Sequence, residues 1–151
     1  MKAVSGIKLI AQNRKAKQRF FVLESYEAGI VLHGHEVKSL RGGKISLDEG
    51  LVRIEAGEAF LFNVHIPPYE HLSNVEYNPT RTRKLLLHRK EIVKISAQVQ
   101  VKGLALVPLE IYFKDGLAKV SVGLAKGKQQ ADRREEIKKR DVEREIRRVK
   151  R

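Results

Sequence analysis

The string GLAKGK, Gly123 to Lys128, comes nearest in this chain to a phosphate-binding loop. Such a loop needs four residues between its glycines and a Ser or Thr after the Lys. Backbone N–H groups then wrap the phosphates and a hydroxyl holds magnesium. Here three residues intervene and Gln129 follows Lys128, so the string reads as a strand end running into a basic linker. His33 and His35 flank Gly34 with Glu36 next, the residue types of a zinc site. His65, His71 and His88 are scattered and supply no further ligands at metal-site spacing. Asp48/Glu49 and Glu55/Glu58 are the nearest acid pairs. Both lie in turn-like contexts, where nothing desolvates one carboxyl to raise its pKa. There is no Cys and no G-x-S-x-G. The expectation is a protein that is not an enzyme, with no cofactor and no metal.

Cations carry the positive signal. The 151 residues hold 31 Lys+Arg against 18 Asp+Glu, a formal charge of +13. That excess predicts a polyanionic partner, nucleic acid or an anionic membrane surface. Three regions concentrate it. Residues 1–18 carry Lys2, Lys8, Arg14, Lys15 and Lys17, TRTRK places Arg81, Arg83 and Lys84 beside Asn78-Pro79, and residues 126–151 hold 12 Lys+Arg and 6 Asp+Glu. Phosphate neutralisation at such sites gives salt-dependent affinity. Tyr26, Tyr69, Tyr77 and Tyr112 are available to stack on bases, although Tyr112, between Ile111 and Phe113, suits a core equally well. No stretch approaches the ~20 apolar residues of a membrane span, and MKAVSGIKLIAQNRKAKQ has no apolar leader region. A cytoplasmic protein without a membrane partner is expected.

These residues need elements to hold them. RFFVLESY and GIVLHG read as one long strand with a bend or bulge at Ala28-Gly29. HEVKSLRGG reads as a short helix ended by Gly42-Gly43. LVRIEAGEAFLFNVHI is a hairpin about Ala56-Gly57, and YEHLSNVEYNPTRTR is a long loop. Ile92, Ile95 and Val99 at i, i+3, i+7 predict a helix over 88–101. GLALVPLEIYFKDGLAKVSVGLAKG is a second hairpin about Asp115-Gly116, with Pro108 at an edge or a bulge. Five or six antiparallel strands with two helices fit a small closed or partly open barrel. The tail ADRREEIKKRDVEREIRRVKR has a thin apolar stripe, Ile137, Val142, Ile146 and Val149. It also has helix-favouring i, i+4 pairs Glu135/Lys139, Glu136/Arg140 and Glu143/Arg147. With no heptad seam and no bulky membrane-facing residues, it reads as a disordered segment that folds on a polyanion. The expected organisation is a basic arm over 1–18, a β-barrel over 19–127 and a basic tail over 128–151.

The strings EAGIVLHGHEVKSLRGGK, GEAFLFNVHIPPY, NPTRTRKLLLHRKEI, VPLEIYFKDG, KVSVGLAKGK and DRREEIKKRD together resemble the small protein B family, the SsrA-RNA-binding proteins of bacteria. The likeness runs in order from about Asn13 to the carboxyl end. It implies a mainly β protein, an antiparallel barrel of the oligonucleotide-binding (OB) type with helices packed on it. It implies binding to the tRNA-like part of transfer-messenger RNA (tmRNA) and, with elongation factor Tu joined through that RNA, delivery to stalled ribosomes for trans-translation. The expected form is a monomer. The resemblance carries RNA contact onto Asn13, Arg14 and Lys15, onto Glu27 in YEAG, onto Arg83, Lys84 and Leu86 in RKLLL, and onto Lys119 in AKVSVG. Arg81, Lys126 and Lys128 complete the expected RNA-binding set. Glu27 either accepts hydrogen bonds from base amines or orients a neighbouring cation. In the family the tail folds in the empty message channel of the ribosome, and its D-K-R motif matches Asp132, Arg133 and Arg134, with Arg133 in place of Lys. Lys138, Lys139, Arg140 and Arg144 extend that ribosome-facing set. Ala131 stands where an aromatic or His is common. A structural ribosomal protein with a basic extension and a generic single-strand RNA-binding barrel are the alternatives.

Overall fold

A computed structural model describes residues 6–69, 76–100 and 103–128. Its elements run β1 (Ile7–Gln12), α1 (Arg14–Arg19), β2 (Phe20–Ile30), α2 (Gly34–Arg41), β3 (Leu51–Glu55), β4 (Glu58–Phe62), β5 (Arg83–Leu86), α3 (Arg89–Val99), β6 (Leu104–Lys114) and β7 (Leu117–Gly127). The protein is mainly antiparallel β sheet with a few short helices. Strand order is β1-β6-β3-β4-β5-β2-β7, and β6 also pairs with β7, so the pairings from β6 through β3, β4, β5, β2 and β7 return to β6. No described helix is long and apolar enough to cross a membrane.

Period-two alternation sets the two faces. In the first half of β7, Val120 and Val122 are buried while Lys119 and Ser121, which alternate with them, are only half-buried. In β5, Arg83 and Leu85 are buried and Lys84 and Leu86 exposed. The inward residues join Leu40 of α2, Ile95 of α3, Leu47, Val64 and Ile66 in one core. The hairpin turns are the expected ones. Ala56-Gly57 have φ of 50° and 75°, and Asp115-Gly116 have 50° and 80°. Both central residues are left-handed, as a turn matched to strand twist requires.

Three expectations are corrected. Residues 1–18 are more than an arm, because β1 pairs with β6 from Ile7↔Lys114 to Gln12↔Glu110 and α1 follows. Asn13 secures the join and is 1% exposed. Its Oδ1 accepts from the Ala16 N–H at 3.1 Å, and its Nδ2 donates to Pro108 O at 2.8 Å and Leu47 O at 3.2 Å. The described strands therefore number seven, against five or six expected. The bulge in β2 falls between Val22 and Glu24 rather than at Ala28-Gly29. Gly29 serves close approach instead, since a Cβ there would meet Leu86 Cβ at 3.3 Å. The irregularity at Pro108 is a bulge between Pro108 and Glu110.

Asn13→Ala removes a helix cap worth ~1 kcal/mol and the amide donor to Pro108 O, while Leu47 O keeps the Gly50 N–H at 2.8 Å. The expected loss is about 2 kcal/mol of unfolding free energy, read as a lower urea midpoint at unchanged m-value.

Candidate nucleic-acid interface

The sheet register assembles the sequence-predicted residues into a row. Leu86 of β5 lies opposite Gly29 of β2, Gly29 opposite Lys119 of β7, Lys119 opposite Tyr112 of β6, and Tyr112 opposite Leu9 of β1. Directly paired residues share a face, and at about 4.8 Å per strand the five positions span about 19 Å. Leu86 and Leu9 are 53% and 49% exposed. The row presents apolar ends, an ammonium and a phenol, with Gly29 leaving a low point beside Leu86.

Glu27 lies two residues before Gly29, on the same outward face. Its Oε2 accepts from Tyr112 Oη at 2.5 Å and its Oε1 from Lys114 Nζ at 3.4 Å. The Tyr112 hydroxyl, and after it the charges of Lys114 and Lys119, hold the Glu27 carboxyl below its ordinary pKa against an opposing desolvation. Burial, then the hydrogen bond to Glu27, pushes the Tyr112 phenol up. Both carboxylate oxygens of Glu27 thus engage protein donors. This geometry fits a residue that orients Tyr112 and Lys114 beside Lys119.

The other predicted positions divide. Lys119 and Lys126 of β7 and Arg14 of α1 form no ion pair among the described residues. Lys84 meets Glu58 at 3.2 Å and Lys15 meets Glu49 at 3.0 Å, both exposed pairs. Such surface pairs contribute roughly 0–1 kcal/mol and leave the lysines able to exchange partners. Lys15 and Asn13 border a cavity of about 330 Å³ with Arg19, Asp48 and Glu49. Lys128 lies over the Phe21 ring, 4.7 Å from its centroid. Asp132, Arg133, Arg134, Lys138, Lys139, Arg140 and Arg144 lie outside the described residues.

Arg83 and Asn13 sit where they cannot touch a ligand. Arg83 is 0% exposed, and every donor nitrogen is engaged internally. Its Nε donates to Glu36 Oε2 at 2.8 Å, Nη1 to Val64 O at 2.8 Å, and Nη2 to Tyr77 Oη at 3.0 Å and Pro79 O at 2.9 Å. The cause is strand alternation, which turns this Arg of the basic string inward. Arg81, next to it on the loop, also donates to Glu36 through Nε at 3.1 Å and through Nη2. Tyr77 donates to Glu36 Oε2 at 2.9 Å rather than standing free for stacking.

Glu36 is the residue that sequence reasoning missed as a hub. It is fully buried at the third position of α2, where Oε1 also accepts the His33 N–H at 2.7 Å. Burial opposes its charge, but hydrogen bonds from Arg81, His33 and Arg83 win and hold the carboxyl at about 2. Its spacing was the available signal. Glu36 and Leu40 are i, i+4 and share the buried face of α2. The arrangement pins the TRTR loop and β5 to α2, and so sets where Lys84 and Leu86 emerge.

A family model described as SmpB protein matches residues 10–151. The SsrA-binding protein of Enterococcus faecalis is 54% identical over 142 residues, covering 94% of this chain and 92% of that one. The SsrA-binding protein of Bacillus pumilus is 49% identical over 142 residues, covering 94% and 91%. A solved chain described under "tmRNA-SmpB: a journey to the center of the bacterial ribosome" superposes with a TM-score of 0.68 at 47% identity. That match covers 84% of this chain and 93% of the solved one.

Proposed function

This chain belongs to the SmpB family, and we propose that it binds the tRNA-like domain of tmRNA and brings it to stalled ribosomes for trans-translation. The observation that carries the reading is the outward row Leu86–Gly29–Lys119–Tyr112 with Glu27 beside it. It gathers onto one face residues that lie nearly a hundred positions apart in sequence.

The ring of strand pairings supports reading the fold as an OB-type barrel, which presents an outer sheet face to nucleic acid. Lys119, Lys126 and Arg14 supply phosphate contacts, with Lys15 and Lys84 released from their surface acids as RNA arrives. Leu86, Tyr112 and Gly29 fit against sugar and base edges, and a folded RNA elbow suits a row about 19 Å long. Arg83, Arg81 and Asn13 act from inside by fixing the strands and loops that carry these side chains. The chemistry of tagging belongs to the RNA and the ribosome. Elongation factor Tu joins through the RNA, the protein acts as a monomer in the cytoplasm, and the tail from Gln129 onward engages the decoding region and empty message channel.

The test compares a tRNA-like RNA with an unstructured oligonucleotide of equal length, each titrated at several salt concentrations. The expected result is tighter binding to the folded RNA. Lys119→Glu should weaken that binding by about tenfold or more and reduce the log–log salt slope by about one. Leu86→Asp, which adds a carboxylate to the same row, should weaken it comparably. Equal affinity for both RNAs would instead identify a generic single-strand binder.

A further inference from the structure

Alternation divides the two acids of β2 between its faces. Glu24, Tyr26 and Ala28 lie opposite the buried Leu124, Val122 and Val120 of β7, whereas Glu27 lies opposite Ser121. Glu24 is therefore on the core side of the strand, away from the row that faces RNA. Its Oε2 accepts from the Tyr26 hydroxyl and lies 3.6 Å from Lys94 Nζ of α3. The Tyr26 hydroxyl, and after it Lys94 and Gln98, hold the Glu24 carboxyl below its ordinary pKa against an opposing desolvation. Burial, then the bond to Glu24, pushes the Tyr26 phenol up to about 12, so it remains a donor. Lys94 and Gln98 are i, i+4, and one face of α3 thus converges on a single carboxylate of β2. The same helix starts just past Leu86. Leu87 alone separates Leu86 from His88, the helix cap, whose N–H donates to Glu91 Oε1 at 3.1 Å. β2 holds both sides of this corner, pairing with β5 at Gly29↔Leu86 and Ile30↔Leu85 and meeting α3 through Glu24.

We propose that Glu24 is a positioning residue for the tRNA-like RNA: by tying α3 to β2 it fixes the β5–α3 corner, and so the angle at which Leu86 meets its ligand. The assignment rests on the reading above, in which Leu86 belongs to the RNA-gripping row. Charge alone predicts the reverse effect. Glu24 is an acid on a chain of formal charge +13, so its removal adds one positive charge to the attraction for a polyanion. If Glu24 acted only through its charge, removing it would tighten RNA binding. A positioning acid strengthens binding although it carries the sign of the RNA itself.

Full chains carrying Glu24→Ala, Leu86→Ala or Lys119→Ala, and Glu24→Ala combined with each of the other two, are titrated against the tRNA-like RNA. Urea midpoints establish that every chain is folded under the assay conditions. Glu24→Ala should weaken binding about fivefold, near the most that an exposed ion pair transmits. In the Leu86→Ala background the same change should alter affinity by less than about twofold, and in the Lys119→Ala background the whole fivefold loss should persist. Unchanged or tighter binding by Glu24→Ala overturns the assignment and leaves only a surface charge. An equal loss in the Leu86→Ala background also overturns it, because that reports a general loosening of the fold. A Leu86→Ala chain that bound as the parent does would overturn the reading of the row instead.

Discussion

Glu36→Gln should lower the unfolding free energy by about 3–5 kcal/mol, the usual result of removing one partner from a buried ion pair. The amide keeps the size of the side chain and can still accept the His33 N–H. It cannot neutralise Arg83, which is 0% exposed and has no route to water. Arg81, whose side chain is 24% exposed, can turn outward, so the damage concentrates on Arg83. The pH dependence carries the same signature. The Glu36 carboxyl is held at about 2 against an ordinary 4.5. Its stabilisation is therefore complete above about pH 4.5 and is lost as pH falls toward 2. Urea unfolding at pH 7 and pH 3 should show the parent losing stability between the two, with the Gln variant losing measurably less. Arg83→Met combined with Glu36→Gln should destabilise less than the sum of the single changes, because the two groups share one network. Additive losses would mean that the two side chains act independently.

That network also shows where the sequence was readable and where it was not. Asp115-Gly116 and Ala56-Gly57 announced their turns because left-handed backbone has few residue choices. Ile92, Ile95 and Val99 announced α3 because Ile95 does face the core. β1 was illegible for a physical reason. Its register with β6 shifts between Leu9 and Ala11, which breaks the alternation, and Ile7 and Leu9 face outward. Its existence depends on β6, about a hundred residues away. The family resemblance named Glu27, Leu86 and Lys119, and the register brings these three to one face. Arg83 and Asn13, which the resemblance also assigned to RNA contact, are buried instead. A short strand carries too few residues to display its period, so nothing local said that Arg83 points in and Lys84 points out. The compensating acid lies 47 positions earlier, on another element.

Ending the chain at Lys128 should abolish peptide tagging on ribosomes stalled at the end of a truncated message while leaving binding to tRNA-like RNA within about threefold of the parent. The described fold closes at that point. β7 ends at Gly127, and the Lys128 N–H donates to Arg19 O at 2.7 Å, so the cut removes no described strand pairing. It removes ten Lys+Arg and six Asp+Glu, a net +4 of the +13. Lys119, Lys126 and Arg14 remain, and the row from Leu86 to Leu9 remains with them. General electrostatic attraction to RNA should weaken only slightly, as a modestly shallower salt slope. What disappears is a segment whose apolar residues are too few for a core and whose charges suit an RNA-walled channel. A truncated chain that still supported tagging would remove the tail from the mechanism and assign ribosome engagement to the folded part alone. Loss of tRNA-like binding along with tagging would instead make the tail part of the primary RNA grip. Only the separation of the two activities fits a protein that holds one RNA with its sheet and senses another with its end.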